Sequence, residues 1–252
     1  YNNTLQPTRC LFGYHRTRSD VVTKFVLVFL MDLVEVMRTT FACREFLDEE
    51  IEDEVIHRIL DNARFAPSGG NRQGIHVIVV KDFEKKRRLG QLCGSTLLLY
   101  AAQQKAGEVP FNTVEQSTVS EQEIDTNSGH DFEMFNRMEE VPLLLLVSVD
   151  LSVVASMDKN LDRIGIVTGA SVYPFVWNIL MAARNEGLGG VITTAIVPEE
   201  ESVRELLGLP ENHAIAAMIP IGKPVKQLSQ LTRRGVEEFT TVDSYEGKTF
   251  KK

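Results

Sequence analysis

Residues 142–150 read Pro-Leu-Leu-Leu-Leu-Val-Ser-Val-Asp, a run that is apolar at almost every position. A strand with one face in water alternates apolar and polar residues, whereas a strand covered on both faces is almost continuously apolar. The run therefore predicts a strand at the centre of a sheet.

Three further runs predict the strands around the central one. His76–Val80 is rich in β-branched residues and follows a glycine-rich loop, and Gly190–Val197 and Ala214–Gly222 lie downstream. A helix is predicted between the last two runs, because Pro198 suits a first helical turn and Gly208 suits a helix end. The expected sheet has four strands.

Apolar stripes at helical spacing predict the flanking helices. A short helix is expected soon after Asp32. A longer helix over Glu54–Ala66 is predicted to take Asp53 as its N-cap and to stop at Pro67. Asp82–Gln104 is predicted to be a further helix.

Gly169–Glu186 is apolar around most of its circumference and predicts a helix at the centre of the protein. Pro174 is tolerated near its first turn and Gly187 is its expected end. The helices come in long runs instead of alternating strictly with strands. That order favours an α+β layered fold over a doubly wound one.

Two segments lie outside this pattern. Gly107–Glu140 is polar and irregular, which is typical of a lid or of an arm covering a partner, within a main domain over residues 31–252. Residues 1–30 are interpreted as an N-terminal extension, either upstream sequence or a cloning artefact, with Met31 as the expected start. The apolar stretch Val21–Met31 is too short for a membrane span and lacks a signal cleavage site. An extra amphipathic helix is the alternative.

The composition excludes several classes of function. The chain has 252 residues, 43% of them hydrophobic, and a formal net charge of -8, which argues against a nucleic-acid partner. Cys10, Cys43 and Cys93 show no C-x-x-C spacing, so neither a disulfide framework nor a zinc site is predicted, and a reducing cytoplasm is expected. The five histidines are scattered, and no metal site and no membrane partner are predicted.

The first of four functional motifs is RTTFACREF at residues 38–46, where Arg38 and Arg44 flank two threonine hydroxyl groups. Such donors suit an anion held by charge-assisted hydrogen bonds, each worth roughly 1.5 to 3 kcal/mol. A solvated helix face is the alternative.

The second motif is APSGGNRQ at residues 66–73. Its small residues let the backbone approach a flat ligand closely. The amides of Asn71 and Gln73 each offer a donor and an acceptor, which suits the edge of a heterocyclic ring. An ordinary helix stop and turn is the alternative.

The third motif is GLGGVITT at residues 187–194, which joins a predicted helix to a predicted strand. A dinucleotide-binding fingerprint needs the strand before the glycines and the helix after them. The order here is reversed, so a Rossmann-type site is rejected.

The fourth motif combines GKP at residues 222–224 with RRGVEE at residues 233–238. Arg233 and Arg234 could join the arginines of the first motif around one dianion. Solvated terminal charges are the alternative.

Taken in order, the four motifs resemble those of the nitroreductase family from about Met31 to Tyr245. That family opens with RRSxRxF, continues with APSxxNxQ and a GLG turn, and closes with GxP and R-x-P-L-E-E. The match in PSGGN, within residues 67–71, is the most specific part.

The resemblance implies a three-layer fold with a central, mostly antiparallel sheet of four to five strands flanked by helices. It also implies a homodimer with one FMN at each subunit interface. NADH or NADPH would reduce the FMN, and a small acceptor such as a nitroaromatic or a quinone would reoxidise it in a ping-pong cycle. The hydride chemistry belongs to flavin N5, so no catalytic side chain is expected.

Site residues follow from the resemblance position by position. Arg44 falls on the basic position that faces the flavin pyrimidine edge, where a positive charge stabilises the anion formed on reduction. Pro67, Ser68 and Asn71 fall on flavin contacts.

Two later stretches also match family positions. Thr193 and Thr194 fall beside N5, and Arg233 or its neighbour Arg234 falls on the phosphate-binding arginine.

Two departures from the family pattern concern the phosphate pocket. The family's first arginine aligns with Thr40 and its serine with Ala42, so Arg38 is expected to reach in from two residues earlier. Gly235 replaces a proline, which leaves the choice between Arg233 and Arg234 open.

Three other functions are weighed against a flavin reductase. A dehalogenase branch of the superfamily uses a lid with Glu, Tyr and Lys, but Gly107–Glu140 contains no tyrosine or lysine; Phe111, Phe132 and Phe135 could still stack on an aromatic substrate. The second is an FMN-binding module without turnover, such as a flavin store or a regulatory protein. The third is an α+β domain without a cofactor.

Overall fold

Four antiparallel strands form the central sheet of the computed structural model, which describes residues 31–124 and 132–251. The strands are β1 (Ile75–Val80), β2 (Leu143–Asp150), β3 (Gly189–Gly190) and β4 (His213–Gly222). Their order is β1-β2-β4-β3. The central strand predicted from residues 142–150 is confirmed, because β2 pairs with both β1 and β4 and only its last residue, Asp150, is not buried.

Helices cover both faces of this sheet, so the predicted α+β three-layer fold is confirmed. Ile59 and Ile179 pack on one face with Leu145, whereas Leu89 and Val203 pack on the other. In the described residues the helices are α1 (Leu33–Thr39), α2 (Asp53–Ala63), α3 (Phe83–Leu92), α4 (Gly94–Lys105), α5 (Glu133–Asn136), α6 (Tyr173–Asn185) and α7 (Glu200–Leu207).

The strand predicted over Gly190–Val197 is mostly wrong. Only Gly189–Gly190 forms a ladder with β4, followed by a single bridge from Thr193 to Met218. The reason is Pro220 in β4, which accepts a hydrogen bond from the Val191 N–H but has no N–H to return one.

The bounds of α2 differ from the prediction at both ends. The N-cap is Glu52, not Asp53, because the Asp53 carboxylate pairs with the Lys81 ammonium and caps no backbone N–H. The helix ends at Ala63, not Ala66, since the residue before a proline is disfavoured in helical conformation.

Two other predicted helices are also shorter than expected. Asp82–Gln104 is interrupted at Cys93, next to the weak helix former Gly94, and forms α3 and α4. The segment predicted as Gly169–Glu186 begins with a 3-10 helix, Val167–Ser171, before α6 starts. The predicted helix ends at Gly187 and Gly208 are confirmed, because both glycines have positive φ angles of 79° and 71°.

The predicted lid ends in a buried anchor. Met134, Phe135 and Met138 lie in the core beside α3, where Gly90 lets the backbone of Phe135 approach closely. Buried Lys86 donates from Nζ to the carbonyl of Val141 at 2.6 Å, and burial lowers the pKa of this amine. The idea that Phe135 stacks on a substrate is therefore wrong, since its side chain is part of the core.

The predicted N-terminal extension, residues 1–30, lies outside the described residues. Among the helices of residues 31–124 and 132–251, none has both the length and the apolar character needed to cross a membrane.

Candidate functional site

The first motif runs as an extended segment between two other motifs. The Cys43 N–H donates to the carbonyl of Gly190 at 3.0 Å, and Ala42 forms a parallel bridge with Gly190. On the other side, the Leu47 N–H donates to the carbonyl of Lys223 at 2.8 Å. The fold therefore brings the first, third and fourth motifs together.

The glycines of the third motif are required by packing. A Cβ atom on Gly190 would lie 2.7 Å from the carbonyl oxygen of Pro220, and one on Gly189 would lie 3.0 Å from the Cβ of Cys43. Side chains cannot fit at such distances, so glycine lets the first motif pack against β3. This supports the rejection of a phosphate loop at these glycines.

Hydrogen bonds fasten the end of α1 to α6 and to the segment between the two parts of the fourth motif. The Gln227 side-chain amide donates to the carbonyl of Thr39 at 3.0 Å, and Arg184 Nε donates to Thr39 Oγ1 at 3.0 Å. Sequence reasoning missed both partners. The sequence signal that could have identified Arg184 is its charge within the mostly apolar sequence of α6.

A cleft of about 530 Å³ lies between α1 and the C-terminal segment. Arg38 and Arg233 both line it, as the dianion hypothesis required. Within the described residues neither guanidinium forms an ion pair, so both charges are available to a ligand. The other lining residues are Met37, Ser229, Gln230 and Leu231, of which the sequence analysis had named none as a site residue.

The second motif adopts a strained loop, residues 68–74, called here the Ser68–Gly74 loop. Gly70, Asn71 and Gln73 have positive φ angles of 63°, 52° and 51°. Residues other than glycine and asparagine avoid this region, at a cost of roughly 1 to 3 kcal/mol, so the strain lies mainly at Gln73, and such strain concentrates at ligand sites. The side chains of Asn71 and Gln73 are exposed and accessible to a ligand.

The Ser68–Gly74 loop stands apart from the other three motifs. Its hydrogen bonds to other parts of the described chain go to Ser171, Val153 and Asp150, all on or after β2. Within one chain, the first, third and fourth motifs therefore lie together, and the second motif lies elsewhere.

The sequence model of the nitroreductase family matches residues 37–223, about three quarters of the chain. The chain belongs to the nitroreductase family. It is a flavin-dependent oxidoreductase, as predicted, and the match contains the first three motifs and ends at Lys223, inside the GKP segment of the fourth.

Two curated relatives of this nitroreductase-family chain align over most of its length. A protein of Archaeoglobus fulgidus, provisionally named NADH dehydrogenase/NAD(P)H nitroreductase, is 26% identical over 206 residues, or 77% of this chain and 86% of the relative. The FMN reductase [NAD(P)H] of Bacillus subtilis is 26% identical over 204 residues, or 80% of this chain and 70% of the relative.

A solved structure supports the fold. Iodotyrosine deiodinase bound to FMN and 3-iodo-L-tyrosine superposes with a TM-score of 0.60, covering 85% of this chain and 100% of that one. At 20% identity this likeness shows the nitroreductase fold alone.

Several residues that the family resemblance named have their own partners. Buried Thr40 donates its hydroxyl to the carbonyl of Val36 at 2.7 Å, which leaves only its oxygen lone pairs for a ligand. Arg44 is exposed and makes one long contact, 3.5 Å from Nη1 to the carbonyl of Ala42. Thr194 is exposed, whereas Thr193 pairs through its backbone with Met218.

Two further predicted contacts lie at the surface of the nitroreductase domain. Half-buried Ser68 accepts the Gln73 N–H at 3.1 Å, which leaves the hydroxyl proton free to donate, and Pro67 beside it is exposed. Arg234 is exposed beside Arg233 but does not line the cleft. The described residues contain no group of three His, Cys, Asp or Glu side chains that could hold a metal ion.

A buried carboxylate organises the connection between β2 and α6. Asp158 accepts the Ile166 N–H at 2.7 Å, the Arg163 guanidinium at 2.9 Å and the Val167 N–H at 3.2 Å. The Ile166 bond, together with Arg163 and Val167, lowers the pKa of Asp158 to about 2, against the opposing effect of burial.

Asp158→Asn is expected to lower the unfolding midpoint at pH 7 by roughly 5 °C, because the ionised acceptor is lost. A carboxylate with a depressed folded pKa stabilises above its unfolded pKa and loses that effect as the pH falls to about 2. The difference between wild type and variant should therefore shrink between about pH 4 and pH 2. Thermal melts of wild type and variant between about pH 4 and pH 2 measure this difference in unfolding midpoint. The control is Asp162→Asn, which changes an exposed carboxylate nearby in the chain. A difference that stays constant over this pH range would contradict the prediction.

Proposed function

We propose that the chain is an FMN-dependent NAD(P)H oxidoreductase that passes two electrons, in a ping-pong cycle, to a small acceptor such as a nitroaromatic or a quinone. The cleft between Arg38 and Arg233 carries this proposal, because it is a basic site in an acidic protein, where the resemblance expects the flavin phosphate. The predicted cofactors agree with the name of the Bacillus subtilis relative, FMN reductase [NAD(P)H].

The cleft suits a phosphate dianion. Arg38 approaches from α1 and Arg233 from the C-terminal segment, so two guanidinium groups can donate from different sides. Ser229 and Gln230, which also line the cleft, add neutral donors. The Gln227 bond to Thr39 holds the two sides of the cleft together.

The first and third motifs suit the flavin ring. The two motifs form a parallel bridge at Ala42 and Gly190, so their chains run in the same direction beyond it. This supports placing Arg44 near Thr193 and Thr194. FMN supplies the hydride chemistry at N5 when bound. The role of Arg44 is to stabilise negative charge on the ring edge.

A homodimer completes the site in this proposal. The Ser68–Gly74 loop lies apart from the cleft, so we infer that it serves the flavin of the partner subunit. The outer edge of β1 has no paired strand in the described chain, and several large apolar side chains are exposed. Among these are Leu33, Val34, Met37, Trp177 and Phe239.

The segment Gly107–Glu140 is proposed as the lid over the acceptor. Phe111 stacks on Tyr100 with ring centroids 6.5 Å apart, and its N–H donates to Gln103 Oε1 at 3.1 Å. The far end of the segment is anchored by Met138 in the core. Both ends of the lid thus rest on the α3 and α4 side of the sheet.

A reducing compartment such as the cytoplasm fits the two described cysteines. Cys43 and Cys93 are buried free thiols, and burial raises the pKa of Cys93 to about 12. Such thiols are inert as nucleophiles.

A visible spectrum of the purified protein tests the proposal. A yellow flavin band that bleaches on anaerobic addition of NADH or NADPH is the expected result. A band that persists with both nucleotides would favour the second candidate, an FMN-binding module without turnover. A colourless protein that refuses added FMN would overturn both.

Arg44→Ala is expected to weaken FMN retention or to lower the flavin reduction potential, because a positive charge is lost from the ring edge. Spectroelectrochemistry and FMN titration measure the two quantities. Arg87→Ala is the control, since Arg87 is an exposed arginine of α3 that pairs with Glu84 and lies in none of the four motifs. Unchanged flavin content and potential in Arg44→Ala would show that the residue is wrongly placed.

A further inference from the structure

The Ser68–Gly74 loop has a backbone shape that its own sequence does not favour. Gln73 lies in the left-handed region, which its side chain rarely adopts, and Asn71 lies there too, although asparagine tolerates that region better than most residues. Two bonds inside the loop help, from the Asn71 N–H to the Ser68 carbonyl at 2.9 Å and from the Gln73 N–H to Ser68 Oγ at 3.1 Å. Strain of this kind persists where the surrounding structure holds it in place.

The surrounding structure is the connection between β2 and α6. Ser171 Oγ accepts the Gly69 N–H at 3.0 Å, and Arg72 donates from Nη1 to the carbonyl of Val153 at 3.2 Å. Among the described residues of this connection, Ser171 is the one whose side chain accepts a hydrogen bond from the loop backbone. A Cβ on Gly69 would already touch Ser171 Oγ at 3.4 Å, so the two segments are in close contact.

The short helix that contains Ser171 is in turn held by Asp158. Ser171 is the last residue of this 3-10 helix, Val167–Ser171. The carboxylate of Asp158 accepts the Ile166 and Val167 N–H groups where that helix begins. A buried carboxylate therefore fixes the short helix, and the short helix fixes the hydroxyl that reaches the loop.

We infer that Ser171 is a positioning residue for the flavin: its bond to Gly69 holds the Ser68–Gly74 loop in the shape that presents Ser68 and Asn71 to the ring. The inference rests on the proposed function, since it takes these two residues as flavin contacts. Ser171 lies outside all four sequence motifs. It acts through the loop and does not itself contact the flavin.

Titration of the apoprotein with FMN tests this role in Ser171→Ala, Ser171→Thr and Thr168→Ala. Ser171→Ala is expected to weaken FMN binding by about fivefold, the effect of one net hydrogen bond. Ser171→Thr keeps the hydroxyl and should restore wild-type binding. Thr168→Ala is the control, because it removes a hydroxyl from the same short helix that hydrogen-bonds to no described residue.

Two readouts separate positioning from general destabilisation. The visible band and the reduction potential of bound FMN should shift in Ser171→Ala, while the unfolding midpoint of its apoprotein stays level with that of Thr168→Ala. Amide exchange at Gly69 should accelerate in Ser171→Ala and not in Ser171→Thr.

Three outcomes would overturn the inference. Wild-type affinity and spectrum in Ser171→Ala would remove any positioning role. Equal losses in Ser171→Ala and Ser171→Thr would show that the hydroxyl is not responsible. Failure of the wild type and of Thr168→Ala to bind FMN would instead overturn the proposed function, and the positioning role with it.

Discussion

Replacing Arg38 and Arg233 together by alanine is expected to weaken FMN binding by roughly 100- to 10,000-fold. Each guanidinium would give up charge-assisted hydrogen bonds to the phosphate, worth about 1.5 to 3 kcal/mol, and tenfold in affinity corresponds to about 1.4 kcal/mol. Both side chains are exposed and form no ion pair in the described chain, so the fold should survive their loss. Fluorescence titration of apoprotein with FMN measures the change.

Arg234→Ala is the matched control for this double replacement. Arg234 neighbours Arg233 but does not line the cleft, so its loss should change FMN affinity by less than about threefold. Riboflavin, which lacks the phosphate, should bind the double variant and the wild type equally well. A large loss in Arg234→Ala with little loss in the double variant would show that the phosphate binds elsewhere.

Replacing Gly90 by alanine is expected to destabilise the protein by about 2 to 3 kcal/mol. The added Cβ would lie 2.3 Å from the carbonyl oxygen of Phe135 and 2.7 Å from the Cβ of Met138. Neither atom can rotate away, so α3 and residues 132–141 must separate. Urea unfolding at neutral pH measures the loss.

Gly94→Ala is the control for Gly90→Ala, because the same glycine-to-alanine change is made where there is room for the new side chain. No atom lies within 4 Å of a Cβ built on Gly94, which begins α4. Alanine there should be neutral or stabilise by up to about 1 kcal/mol, because glycine is a poor helix former. Equal stability of Gly90→Ala and Gly94→Ala would mean that residues 132–141 do not pack against α3 in solution.

Local patterns in the sequence were enough to predict most elements. The run at residues 142–150 predicted β2, because burial on both faces leaves a nearly continuous apolar stretch. The helix ends at Gly187 and Gly208 were predicted for a similarly local reason, the freedom of glycine at positive φ. The family was predicted from four short motifs in the right order, and the match over residues 37–223 confirms it.

The errors arose where an element depends on a partner far away in the chain. The apolar residues after Gly190 predicted a full strand, but Pro220 on the neighbouring strand lacks the N–H that would extend the ladder. Asp53 was predicted as a cap because nothing in its neighbourhood indicates its pairing with Lys81. Phe135 was predicted in a lid, but Gly90 on α3 makes room for it in the core.

The sequence by itself determined the central strand, the helical segments and the family, because each is encoded by neighbouring residues. The tertiary structure decided how the candidate site residues are arranged. It brought Arg38 and Arg233 to one cleft, kept the Ser68–Gly74 loop apart from them and set Ser171 against Gly69. Contacts between residues so distant in the chain leave no periodicity or motif in the sequence, since they depend on how the helices and strands pack.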